Sequence, residues 1–238
     1  MDTDGSLTLL YLDRHCAVVE KPGGLLAVPG RGPDKQDCVV NRLKRLCPWC
    51  IDQPAAHRLD MDTSGLMVLG LSRKAHRNLS SQFATQQVVK IYLALLDGEV
   101  TVDTDGGEIR LAFRLDPQRR PHQVHDPLQG KLGITLWKRL SSREGKTLVR
   151  MQPQTGRTHQ LRLHASHTLG LGCPIIGDRL YGKGMQREQL HLHAAYLHFL
   201  HPLGGWRMGF LSQPPFLEDK IPTKFALNDL LFSDHGIT

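Results

Sequence analysis

The stretch "GLMVLGLSRKAHRNLSSQFATQQVVKIYLALLDG", residues 65–98, changes its hydrophobic period twice. "GLMVLGL" is a short unbroken apolar run, the pattern of a strand buried on both faces. Ser72 then offers an N-cap, and Ala75, Leu79 and Phe83 recur at helical spacing, which predicts a helix with one apolar side ending near "ATQQ". After Val88 the pattern alternates. Val89, Ile91, Leu93 and Leu95 share one face of a strand, leaving Lys90, Tyr92 and Ala94 on the other. Tyr92 therefore points away from that apolar row.

Toward the N-terminus, "LTLLYLD" and "CAVVEKPGGLLAV" read as two β segments around a turn at Asp13 to His15, with "KPGG" as a breaker. Apolar positions 39, 40, 43 and 46 in "DCVVNRLKRLC" predict an amphipathic helix with Asp37 as N-cap. Toward the C-terminus, 101–133 reads as a basic excursion and "TLVRMQP" as a strand. "TGRTHQLRLHASHTLG" reads as a turn into a helix stopped by Gly170, with His159, Arg162 and Ser166 on one side. "CPIIGDRLYGKG" is loop, and "LHLHAAYLHFLHP" alternates as a late strand. Without regular βαβ repetition, this order predicts an α+β body on a mixed, largely antiparallel sheet. It is expected as one unit over residues 1–238, with a core from about Leu7 to about Leu217 and a partly loose tail after "PPF".

A chain of 238 residues can bury a sizeable core. No apolar run approaches the roughly 20 residues of a membrane-spanning helix, and the N-terminus lacks the character of a secretory or transit leader, so a cytoplasmic location is expected. Five cysteines, an odd number in a chain this long, are expected as free thiols. "CPWC" at 47–50 has dithiol spacing, but no second such pair closes a zinc site, and its plain reading is a helix ending at Pro48. The formal charge of +7 is unevenly placed. Residues 110–162 hold twelve Lys and Arg against three acids, a net of about +9, which is the distribution of a surface that tracks phosphates or of a solvated basic face.

In "HRLDMDTSG", residues 57–65, Asp60 and Asp62 lie close to Arg58, and a neighbouring cation favours an ionised carboxylate. An ionised Asp is a competent nucleophile at sugar-like carbons. A structural Asp capping the "TSG" turn is an equally good local reading. His57 reads as a hydrogen-bonded structural residue, not a general base. "HLH" at 191–193 could put two imidazoles on one strand face, but no third ligand stands at a convincing spacing, so no metal is expected. The glycine-containing loops at 21–24 and 30–35 lack the ending of a P-loop and are expected to line a polyanion's path.

Six blocks, "EKPGGLLAVPG", "HRLDMDTSGLMVL", "KIYLALLDG", "TGRTHQLRLH", "CPIIGDRLYG" and "LHLHAAYLHFLHP", stand in this order. Together they resemble the RluA-type pseudouridine synthase family, from about Tyr11 to about Pro215. "VPGRG" with "HRLDMDTSG" is similar to the RluA branch, whose members modify uridines in the tRNA anticodon stem-loop and in large-subunit ribosomal RNA. The resemblance implies a cofactor-free isomerisation. The N1 glycosidic bond of uridine breaks, the uracil turns, and its C5 bonds to the sugar. It assigns Asp60 as nucleophile, at the sugar carbon or the uracil ring, and leaves Asp62 at a variable position. Tyr92 is implied as the active-site tyrosine, stacking on the uracil, with its hydroxyl offered as a second group to help remove the C5 proton. Arg162 is implied as the basic partner, holding Asp60 through a stiff bidentate pair. Arg58 is implied to help evict the target base, which must leave its stack.

His57, Arg119, Arg120, Arg157 and His159 complete the expected RNA-binding set, and the 110–162 region is expected to read a folded stem-loop by shape. The family strand "GKxAxTxY" stands here as "GKLGITLWKRL", with Gly133 and Trp137 at the small and aromatic positions. A monomer is expected. The rival readings are a non-catalytic RNA-binding protein on the same fold and a metal-dependent nuclease using the His-rich strand.

Overall fold

The computed structural model describes residues 7–101, 104–182 and 189–217. The tail expected to be loose falls almost wholly outside the described residues. Among the described residues, ten strands and three α-helices follow in order: β1 (Thr8–Leu12), β2 (Cys16–Lys21), α1 (Val39–Leu46), β3 (Ser64–Gly70), α2 (Arg73–Ala84), β4 (Val89–Asp97), β5 (Gly106–Leu115), β6 (Gln123–His125), β7 (Lys131–Arg143), β8 (Lys146–Pro153), α3 (Gln160–Ser166), β9 (Leu192–Leu200) and β10 (Arg207–Leu211). All ten strands join one sheet, ordered β1-β2-β3-β9-β4-β8-β7-β5-β6, with β10 also on β9. Only the pairing of β3 with β9 is parallel, so the sheet is mixed and largely antiparallel, as expected.

The strand–helix–strand reading of residues 65–98 holds. Every residue of β3 is buried, with Leu66 and Val68 on one side of the sheet and Met67 and Leu69 on the other. Ser72 Oγ accepts from Ala75 N at 3.3 Å and caps α2, and Leu79 and Phe83 pack in the same cluster as Val68. On β4, Ile91 and Leu93 pack with Ala195 and Tyr196 of β9, whereas Tyr92, Ala94 and Leu96 face the opposite side. Tyr92 does point away from the Ile91 row, but its face belongs to the larger core and not to solvent.

Some local expectations need correction. The cap of α1 is Cys38, whose Sγ accepts from Asn41 N at 3.4 Å. Asp37 is occupied instead by the fork of Arg42, at 2.9 and 2.8 Å. The "basic excursion" contains β5, whose buried Ile109, Leu111 and Phe113 alternate beneath the charges. β10 leaves little signal in the sequence, being five residues interrupted by Gly209. α3 stops at Ser166, before Gly170, because His167 turns to an extended backbone. Gly133 on β7 makes space for a ring: a Cβ there would stand 2.6 Å from Phe113 Cε1. All five cysteines are free thiols, with Cys47 at the end of α1. Among the described residues no helix is long and apolar enough to cross a membrane.

Candidate active site

Asp60 stands in the loop entering β3, its side chain 31% exposed. Backbone and side-chain hydrogen bonds hold that loop, Gly24 N donating to Met61 O at 2.9 Å. Thr63 N donates to Asp60 O at 3.2 Å, closing the turn. Lys21, at the end of β2 and fully buried, donates through Nζ to Met61 O and Leu25 O at 2.7 Å and to Pro22 O at 2.9 Å. Burial pushes the Lys21 amine down to about 7, opposed by the charges of Asp62 and then Asp60. The Asp62 charge thus favours the ammonium form of the lysine that holds the turn. Beyond the turn, Gly65 has φ +111, and a Cβ there would lie 2.6 Å from Ala194 N and nearer still to its carbonyl oxygen. The close β3–β9 approach requires glycine at this point.

Opposite Asp60 stands the segment 155–162. Gln160 is the latch: its Nε2 donates to Ile134 O and Thr135 Oγ1 of β7, both at 2.9 Å, while its Oε1 accepts from Thr155 Oγ1 at 2.7 Å and Arg157 N at 3.1 Å. This bends the chain at His159, which has φ 55 and precedes α3 instead of belonging to it. His159 Nε2 and Arg162 Nη1 each come to 3.9 Å of Asp60 Oδ2. The expected sharing of one side by His159 and Arg162 is thus realised by a turn.

Arg162 does not make its bidentate pair with Asp60. Its fork belongs to Asp178, Nε to Oδ2 at 2.8 Å and Nη2 to Oδ1 at 2.6 Å. Asp178 is fully buried and also accepts from Leu180 N at 2.9 Å and Tyr181 N at 3.0 Å. A carboxylate removed from water needs a stiff counter-ion more than a partly exposed one does, which leaves only the Nη1 edge for Asp60. Burial opposes the charges of both Asp178 and Arg162. Their mutual fork outweighs it, holding the carboxyl below its ordinary range and the guanidinium above.

A cavity of about 1050 Å³ opens over Asp60, lined by His57, Arg58, Tyr92, Arg157, His159 and Arg162 among others. Tyr92 is buried in its wall, and burial together with the charge of Asp60 pushes its phenol up. At one end His57 stacks on Phe83, centroids 4.3 Å apart, and accepts from Val68 N at 3.1 Å. Burial, then the charge of Lys90, pushes His57 down to about 3, so the ring is a neutral acceptor. Arg58 and Arg157 are exposed. Arg119 and Arg120 are not in the lining, although Pro121 is; they stand exposed in the β5–β6 connection, Arg119 paired with Asp116 at 2.8 Å. Neither glycine loop, 21–24 or 30–35, lines the cavity; Leu26, Ala27 and Val28, between the two, do.

The sequence reading assigned no role to Lys21, Asp178 or Tyr181, although "EKPGG" and "GDRLYG" were conspicuous. Nor does the "HLH" strand present free imidazoles: both ring nitrogens of His193 bond serines, Ser64 Oγ and Ser212 Oγ, at 2.8 Å, and His191 stacks on Phe216. Among the described residues, Asp13, Cys16 and His201 bring possible ligand atoms within 4.8 Å of one another. His201 accepts from Gly204 N at Nδ1 and so donates to Asp13 at Nε2, both at 2.8 Å, which leaves no ring lone pair for an ion.

A model of the family described as RNA pseudouridylate synthase matches residues 15–167, more than half of the chain. The chain belongs to the RNA pseudouridylate synthase family. A Haemophilus influenzae protein named dual-specificity RNA pseudouridine synthase RluA is 40% identical over 214 residues, covering 88% of this chain and 94% of that one. The Yersinia pestis protein of the same name is 39% identical over 215 residues, covering 88% and 100%. Among solved structures, human RNA pseudouridylate synthase domain containing 4 has a TM-score of 0.67 at 26% identity, covering 94% of this chain and 92% of that one. Domain containing 1 has a TM-score of 0.69 at 29% identity, covering 90% and 85%. The RluA-type resemblance and the α+β expectation both hold. As a pseudouridylate synthase the chain is an enzyme that isomerises uridine to pseudouridine in RNA.

Proposed function

We propose that this pseudouridylate synthase acts on structured stem-loops, in the tRNA anticodon arm and in large-subunit ribosomal RNA, with Asp60 as its nucleophile. One observation carries the assignment: Asp60 is a partly exposed carboxylate at a cavity of about 1050 Å³, with an imidazole and a guanidinium each 3.9 Å from its Oδ2. The volume exceeds the needs of one nucleoside, which fits an extruded uridine together with its neighbours. Arg58 and Arg157, exposed at the rim, suit contacts to the displaced base and the backbone. Tyr92 suits stacking on the uracil, worth about 1–3 kcal/mol. Its raised phenol stays protonated, which counts against a role as base for the C5 proton. The relatives' shared description as dual-specificity enzymes favours two RNA substrates. The reading includes one catalytic unit over the whole chain, a monomer in the cytoplasm, working without metal or cofactor.

Asp60→Asn tests it. Pseudouridine formation on a tRNA stem-loop should fall below detection while RNA binding stays within a few-fold of wild type. Turnover near wild type would remove Asp60 as nucleophile. Mapping pseudouridines in RNA from cells with and without the protein identifies the substrates, and losses confined to other RNAs would overturn the stem-loop assignment.

A further inference from the structure

We propose that Tyr181 is a positioning residue that sets the tautomer of His159 and so directs an imidazole N–H at Asp60; the inference rests on the reading of Asp60 given above. Tyr181 Oη accepts from the Gln123 backbone N–H at 2.7 Å and lies 2.8 Å from His159 Nδ1. A phenol carries one hydrogen. With Gln123 donating to the oxygen, the hydroxyl hydrogen is left for Nδ1, and a neutral imidazole that accepts at Nδ1 carries its proton at Nε2. That nitrogen is the one 3.9 Å from Asp60 Oδ2. The opposite tautomer would aim a lone pair at the carboxylate and leave the phenol hydrogen without an acceptor in this contact. Burial favours the neutral ring, against the pull of the Asp60 charge.

The same short loop therefore fixes both groups that face Asp60. Asp178 clamps Arg162, and three residues later Tyr181 orients His159. Its position is itself fixed from the start of β6, through Gln123 N to Tyr181, and from the residue before it, through His122 Nε2 to Leu180 O at 3.1 Å. Neither Asp178 nor Tyr181 lines the cavity. They act from behind its wall.

The decisive measurement is the ¹⁵N spectrum of His159 in the free full-length protein. Wild type should show the Nε2–H tautomer, and Tyr181→Phe, which removes only the hydroxyl, should lose it. Turnover of Tyr181→Phe should fall by about ten- to a hundred-fold with RNA affinity nearly unchanged, the pattern of a misdirected group. A wild-type Nδ1–H tautomer, or a Tyr181→Phe protein with unaltered spectrum and turnover, would overturn the proposal. Should Tyr181→Phe not fold, His159→Gln, whose amide can place an N–H near the Nε2 position, should retain more turnover than His159→Asn; the reverse order overturns it. Because the wild-type tautomer is read without RNA, its outcome is separate from that of Asp60→Asn.

Discussion

Asp178 has no exposed surface, yet it determines what Arg162 can offer the site. Asp178→Asn keeps the shape of the side chain and deletes its charge, leaving a guanidinium of 3% exposure without its main counter-ion. Breaking a buried pair from one side costs about 3–5 kcal/mol. The variant should therefore unfold at markedly lower urea, with turnover reduced in the fraction that stays folded. The pH dependence has a definite sign. The folded carboxyl lies below the ordinary 3.8, so its stabilisation is present above that value and lost as pH falls through the folded value. Wild type should lose stability on acidification through this window, and Asp178→Asn should lose less. Equal acid slopes, measured by urea unfolding across pH, would contradict the pairing.

At the scale of elements, the entry to β3 is where fold and site meet. β3 pairs with β9 through Ser64 and Gly65 alone, immediately after the turn that presents Asp60. Gly65→Ala would press a Cβ against the backbone of Ala194 and force alanine into φ +111. Strain of this kind costs about 1–3 kcal/mol, and relief requires β3 and β9 to part at the Asp60 end. Gly65→Ala should lower the melting temperature and reduce turnover more than RNA binding, since the Asp60 turn moves and the basic surface does not. Elements were legible where period and chemistry agreed: β3, α2 and β4 stand where the apolar pattern put them. β5 was not, because its alternating Ile109, Leu111 and Phe113 are interleaved with Glu108, Arg110 and Arg114, and charge masked the period.

Across the whole molecule, the excess of about +9 between residues 110 and 162 is not all available to RNA. Among the described residues, Arg110, Arg114, Arg119, Arg139 and Arg162 of those twelve stand within 4.0 Å of a carboxylate, and Asp105, Glu108 and Asp178 among the partners lie outside the counted segment. Arg119 and Arg120 remain exposed beside the cavity, Arg119 sharing its charge with Asp116. Neutralising both to Gln should weaken RNA binding and reduce the slope of log affinity against log salt by about one to two. An unchanged slope would place the RNA on another face.

The sequence alone determined the family and the α+β class, because apolar period and residue type are local properties that survive in one dimension. Tertiary structure decided the pairings. Arg162 looked available to Asp60 until packing buried Asp178 against it, and a buried carboxylate takes the fork that a partly exposed one can do without. Tyr181 likewise acquired a role only when β6 supplied a donor to one side of its hydroxyl and His159 an acceptor to the other. Burial and hydrogen-bond satisfaction depend on segments far apart in the chain, and those distances exist only in the folded protein.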